Sequence, residues 1–436
     1  MKKRWWLMFG NDLVLILFGA AVGFFALMLV HFLPVEPMRE HAFWSLEMIE
    51  NEFGNELSVT GYPATMKGNF TDCLMIQHAV YRSENHSVLE QVTHMYRGES
   101  YQGEEDGWQP GRSLSDYLRG VPQPREVEYG RYWHGYLVVL KPLLFLTSFN
   151  TIRLLNSALL LFLAGMVVAG LCKKNASALA KVFLLALSFL FFSSSYASLS
   201  LSICLYLMLA LILVQLQFDD RLSKKKTYGY FFLLAGMATS YFDFLTYPLI
   251  TLVFPLCVYL YLHDDCGGAK GTVVRMFGYS ARWLEGYLGL WAMKWILTDL
   301  LTGSFVIRDA LDTLGNRTDS ADGYSRIGGF FSVVWKNMQP YANWCYVLVV
   351  GIGAALLAAG MVRCGVRWKN WRKAVPYIIL ALYPFGWFFA AQNHSAEHWQ
   401  FTCRIMACTP FALYAGCLKM LGTSEECSEI RKEEEQ

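Results

Sequence analysis

The chain runs to 436 residues, of which 55% are hydrophobic and only 17% charged, against about 25% charge in an average soluble domain. The charge is missing from whole segments, which excludes an ordinary soluble fold. The net charge of +2 comes from short basic clusters between apolar runs, so it offers no basic face for nucleic acid and serves instead as a topology signal.

Lys2, Lys3 and Arg4 precede an apolar run over 13–33. A cleavable signal peptide has an apolar core of about 7–15 residues and a small-residue cleavage site. This run is longer and ends in Leu33-Pro34-Val35-Glu36-Pro37, so residues 1–33 are expected to form a retained signal-anchor helix. Residues 34–151 read as an extracytoplasmic loop, with Gly, Pro, Trp and Tyr in the proportions of a folded cap. Inside it, 132–149 is apolar enough to span, but Lys141-Pro142 places a charge and a helix breaker mid-run. A re-entrant or juxtamembrane helix is expected there. Residues 152–421 hold the remaining apolar runs, at about 152–172, 182–198, 200–217, 228–243, 246–262, 276–297, 341–362, 375–391 and 402–421, with a second outer loop at 299–340. Residues 422–436 read as a cytoplasmic tail. A bilayer-spanning helix needs ~20 apolar residues. The expected fold is therefore all-α: a polytopic membrane helix bundle of about 10 spans with an outer-face loop domain.

Loop charge sets the direction, because Lys and Arg collect on the cytoplasmic side. With these spans, Lys173/Lys174/Lys181, Arg221/Lys224/Lys225/Lys226, Lys270/Arg275 and Arg363/Arg367/Lys369/Arg372/Lys373 all fall on the side of Lys2. The loops facing the other way, around Ser195 and Thr246, carry none. Both termini are expected in the cytoplasm of a cell whose plasma membrane, of bacterial inner-membrane type, holds the chain. Cysteines inside the apolar runs, such as Cys204, Cys257 and Cys408, read as small hydrophobes.

The passage RYWHGYLVVLKPLLFLTSFNTIRLLNSALLLFLAGMVVAGLCKK, from Arg131 to Lys174, re-enters the membrane after the outer loop. His134-Gly135-Tyr136 precedes its aromatic and leucine run, and Ile152-Arg153-Leu154 opens its span. In this order of parts the chain resembles the GT-C membrane glycosyltransferases, of the protein O-mannosyltransferase and lipid A aminoarabinose transferase type. The resemblance implies transfer of a sugar from a polyprenyl-phosphate donor to an acceptor (glycan, lipid or protein) on the extracytoplasmic face, with membrane lipids as surroundings. The family carries an acidic residue, often an Asp-Glu pair, soon after its first helix. This chain has no such pair; Glu36 and Glu40 are the candidates by position and Asp72, in Asn69-Phe70-Thr71-Asp72-Cys73, by local context.

That chemistry needs a carboxylate to take the acceptor's proton and cations to hold the departing phosphate. Asp72 is the first candidate for the base; the alternative is an N-cap of the helix that follows it. Lys294, flanked by Trp291 and Trp295, and Arg404, at the entry of the last span, are the candidate phosphate ligands, with His134 and Lys141 beside them. Interfacial anchoring or packing explains each of these as well. Asp243 is a further outward acid. His394 and His398 stand four apart, a spacing that chelates a metal if the turn is helical, so no cofactor is definite and a divalent metal stays open. Arg282 and Glu285, three apart on one helix face, are expected to pair. Asp72, Lys294 and Arg404 are expected to face one outer cavity. A transporter or lipid flippase, or a non-catalytic envelope assembly protein, fits the same composition.

Overall fold

The computed structural model describes residues 2–52, 62, 65–100, 110–263 and 268–421; the 422–436 tail lies outside them. It is built of helices, and the sheet among the described residues is one antiparallel pair of short strands. Among the described residues, six helical runs are long and apolar enough to cross a membrane: Gly10–His31, Phe149–Lys173, Leu199–Lys224, Trp344–Cys364, Trp368–Ala390 and Trp399–Leu418. In length and hydropathy these are the helices of a membrane protein.

α1 (Lys2–His31) leads into a cap. Its elements are α2 (Val35–Phe43), α3 (Leu46–Asn51), α4 (Asn69–Val80), α5 (Val88–His94), β1 (Arg97–Glu99), α6 (Pro110–Leu118), β2 (Arg125–Val127) and α7 (Leu137–Leu146). α4 is the axis of the cap: its Cys73-Leu74-Met75-Ile76 run and the following Ala79-Val80 are all buried, against α2, α6 and α7. α5 begins with a capping box, in which Ser87 and Glu90 satisfy each other's backbone N–H groups. The two strands, with α6 between them in the chain, pair Arg97 with Val127 and Glu99 with Arg125. α7 has 10 residues, ~15 Å at 1.5 Å per residue. That is about half of a ~30 Å hydrocarbon core, too short for α7 to span as a helix.

The rest of the chain is the bundle: α8 (Phe149–Lys173), α9 (Ser177–Phe189), α10 (Phe192–Ser195), α11 (Leu199–Lys224), α12 (Tyr228–Phe242), α13 (Ile250–Leu262), α14 (Gly268–Thr302), α15 (Val306–Thr318), α16 (Arg326–Met338), α17 (Trp344–Cys364), α18 (Trp371–Ala381), α19 (Tyr383–Ala390), α20 (Gln392–Glu397), α21 (Trp399–Thr402) and α22 (Cys408–Leu418). The apolar run expected from residue 246 starts later, at Ile250. The reason is local: the Asp243 carboxylate accepts the Thr246 N–H at 2.9 Å and the Thr246 hydroxyl, which closes a turn ahead of α13. Arg282 stands 3.8 Å from Glu285, as its spacing suggests, but its closer partner is Asp12 of α1. Cys204, Cys257 and Cys408 are free and buried.

α12 and α14 make the most intimate contact of the bundle. A Cβ at Gly236 would run into the Trp283 carbonyl oxygen, and one at Gly286 into the Leu233 carbonyl oxygen. This reciprocal glycine pair lets the two backbones touch, which is how helices associate where lipid removes the hydrophobic drive. Gly236→Ala is expected to force the pair apart at a cost of about 1–3 kcal/mol, read as a lowered Tm in detergent. An unchanged Tm would mean the helices do not pack this closely.

Candidate functional site

A helix leaves its last carbonyls without internal partners, and cations are favoured at that end. Two of the cations singled out in the sequence are used there. Lys141 Nζ donates to Ala79 O at 2.6 Å, in the last turn of α4, next to Val80 O, which accepts from Arg39 Nε at 3.2 Å. Burial pushes the Lys141 ammonium down to about 7. Lys294 Nζ donates to Val92 O and Thr93 O, at 2.9 and 2.8 Å, at the end of α5. Arg404 is fully buried, with Nε on Ser195 Oγ at 2.7 Å, Nη1 on Gln400 O at 2.7 Å, and its guanidinium over the Phe191 and Tyr247 rings. These three side chains tie helices together.

Asp72 behaves likewise. Its carboxylate accepts four hydrogen bonds: from Ser198 Oγ and Leu199 N at 2.9 Å, and from Ser200 N at 2.9 Å and Oγ at 2.7 Å. It sits in the first turn of α4 but caps the N-terminus of α11. Burial pushes its carboxyl up, and the Ser200 and Leu199 donors pull it back. His134, with φ 56°, is buried between Tyr129 O, 2.8 Å from Nε2, and the Tyr136 hydroxyl, 3.2 Å from Nδ1. Asp243 is committed to its own turn. Glu36 and Glu40 are exposed on α2, apart from the cavities described next.

α4, which carries Asp72, and the segment just ahead of Arg404 do converge, but on other side chains. A cavity of about 390 Å³ lies between Phe70 and Thr71 of α4, Ser200 at the start of α11, Thr246, and a wall of Arg317, His394, Glu397 and His398. Arg317, at the end of α15, donates Nη1 to Glu397 Oε2 at 3.1 Å and to His398 Nε2 at 2.7 Å. A guanidinium has only donors, so His398 Nε2 presents its lone pair and the proton sits on Nδ1. Burial, helped by the Arg317 charge, holds His398 down at about 4. His394 Nε2 lies 2.8 Å from Leu245 O and therefore carries the proton there; burial holds this ring well below the usual range. The two rings stand 4.9 Å apart. They do not fit a metal: one lone pair already faces a cation, and the described residues contain no group of three or more metal-binding side chains.

A second cavity, of about 200 Å³, adjoins the first and shares Tyr132 and Arg317 with it. Its walls are apolar: Trp283, Tyr287, Trp291 and Trp295 of α14, Leu314 of α15 and Trp387 of α19. The Trp291 and Trp295 indoles both donate to Arg131 O, at 2.8 and 2.9 Å, which fixes their rings along the wall. Leu284 and Leu288 line the same groove and are exposed, so it runs out onto the apolar surface of α14. Arg317 stands where the apolar groove meets the polar cavity. Sequence reasoning missed Arg317 and Glu397. Glu397 lies between two histidines already of interest; Arg317 carries no local signal beyond its place in the 299–340 loop. Comparison with family models, with curated proteins and with solved structures gives no match.

Proposed function

We propose that the chain is a membrane transferase of the GT-C kind, which moves a sugar from a polyprenyl-phosphate donor to an acceptor on the extracytoplasmic face. One observation carries the reading: an apolar groove open to the bundle surface and a larger cavity with one polar wall, of Arg317, His394, Glu397 and His398, meet at Arg317. That is the shape of an amphiphile with a hydrocarbon tail, a phosphate and a polyhydroxyl head. The polyprenyl chain would lie along Trp291 and Trp295, the phosphate against Arg317, and the sugar in the polar cavity. An acceptor hydroxyl or amine attacks the anomeric carbon, the bond from that carbon to the phosphate oxygen breaks, and the polyprenyl phosphate leaves with increased negative charge. Arg317 stabilises that charge. Glu397, beside Arg317 on the cavity wall, is the base that takes the acceptor's proton; Asp72 is engaged by four donors at the start of α11 and lines neither cavity.

The ten-span topology belongs to this proposal. The six long runs are joined by α9, α12, α13 and α14, with both termini cytoplasmic and the cavities on the outer side, in the plasma membrane. Exposed apolar faces on α1, α8 and α17 support lipid contact. The polar groups gather at one end of the bundle instead of mid-membrane, which favours a transferase over a transporter. Purified protein given a labelled polyprenyl-phosphate sugar and a membrane extract as acceptor source is expected to release the sugar from the lipid. Glu397→Gln is expected to slow that release by about 10²–10⁴-fold while still binding the donor. Full release by Glu397→Gln would remove Glu397 from the reaction; no release by the wild type from any donor would remove the function.

A further inference from the structure

α16 is a helix turned inside out. Its exposed side chains are all large and apolar: Ile327 (68% exposed), Phe331 (65%), Trp335 (65%) and Met338 (45%). Spaced by four, four and three, they form one stripe along the helix. The opposite face, Gly329, Val333 and Asn337, is buried. At 13 residues, ~20 Å, α16 is short for a bilayer, and it lacks the apolar character of α9 and α13, which have the same length. A water-facing surface does not carry such a stripe.

We infer that α16 lies in the membrane boundary and sinks this stripe into the outer leaflet, holding the wall of the polar cavity in place from the lipid side. Continuity argues for lipid over a second protein. Five residues after α16, α17 opens with Trp344, 82% exposed, and continues with exposed Val347 and Leu348 on a helix long enough to span. The stripe thus runs on into a lipid-facing surface. The buried face then passes the hold inward. Asn337 Nδ2 donates to Ser395 O at 3.0 Å and its Oδ1 accepts from Thr402 Oγ1 at 2.7 Å. Gln392 Nε2 donates to Arg326 O at 2.7 Å. Gln392 and Thr402 flank the segment that carries His394, Glu397 and His398, and Ser395 lies within it, so α16 is the bracket between leaflet and wall.

The inference concerns the membrane and stands apart from sugar transfer, so its test needs no substrate. Wild type and Trp335→Phe are placed in nanodiscs of phospholipid brominated near the head end of the acyl chain or near its tip, and the difference in tryptophan fluorescence isolates Trp335. An in-plane helix sits ~5–10 Å into the boundary. The difference signal is expected to fall by roughly half with head-end bromine and much less with tip bromine. No quenching by either lipid overturns the inference. So does a difference signal that reappears only when the protein self-associates at high density, which would give the stripe to a second copy. Asn337→Ala is expected to leave the quenching unchanged while increasing proteolytic cutting or hydrogen exchange in 392–402; unchanged exchange there overturns the bracket role.

Discussion

Replacing Arg317 by glutamine is expected to lower sugar transfer by about 10²–10³-fold, the usual cost of removing one donor from a charge that grows in the transition state. The fold should hardly notice. The Arg317 side chain is about a quarter exposed and its partner Glu397 about half, and partly solvated pairs of this kind contribute roughly 0–1 kcal/mol. Arg317→Lys keeps the charge but loses the flat, two-pronged donor set that matches a phosphate, so it should recover only part of the rate. Three measurements on purified protein separate the outcomes: transfer rate, affinity for a short polyprenyl phosphate, and Tm. Loss of rate and affinity at constant Tm is the expected pattern. A full rate in Arg317→Gln would show that the phosphate is held elsewhere.

Asp72→Ala is expected to do the reverse and strike at stability. It leaves the Leu199 and Ser200 N–H groups buried at the start of α11 with no acceptor, while the Ser198 and Ser200 hydroxyls, 3.1 Å apart, can turn to each other. A stranded buried donor costs about 1–3 kcal/mol, so the two together remove a large part of a typical stability of about 5–15 kcal/mol. Asp72→Asn is expected to be nearly as harmful, because half of its amide presents donors to donors. Thermal unfolding in detergent checks this. If Asp72→Asn keeps the wild-type Tm and abolishes transfer, the base is Asp72 and the assignment to Glu397 falls.

The helices were legible because their signal is local. A run of apolar residues reports its own span, and the six long runs lie where hydropathy puts them. The breaks were less visible. The end of α12 depends on Asp243 reaching three residues along the chain to Thr246, a pattern that a search for apolar runs overlooks. The site was hardest to read because its residues are chosen over long separations. Asp72 and the N-terminus it caps are 126 positions apart, and Lys294 and the α5 carbonyls about 200. An acid and a lysine near a boundary look the same in sequence whether they meet a substrate or the end of another helix. Arg317 and His398, 81 positions apart, show the same limit from the other side. The pair His394 and His398 marks the neighbourhood in the sequence, whereas the arginine that joins the two cavities has no local mark.

A photoreactive polyprenyl phosphate, crosslinked to the protein in nanodiscs and mapped by mass spectrometry, tests the junction of groove and cavity most directly. Label is predicted on the peptides of α14 and α15 that carry Trp291, Trp295 and Leu314, displaced by unlabelled polyprenyl phosphate and sharply reduced in Arg317→Gln. Equal labelling by the phosphate-free polyprenyl alcohol, or label spread over the bundle with none on these peptides, would contradict the account.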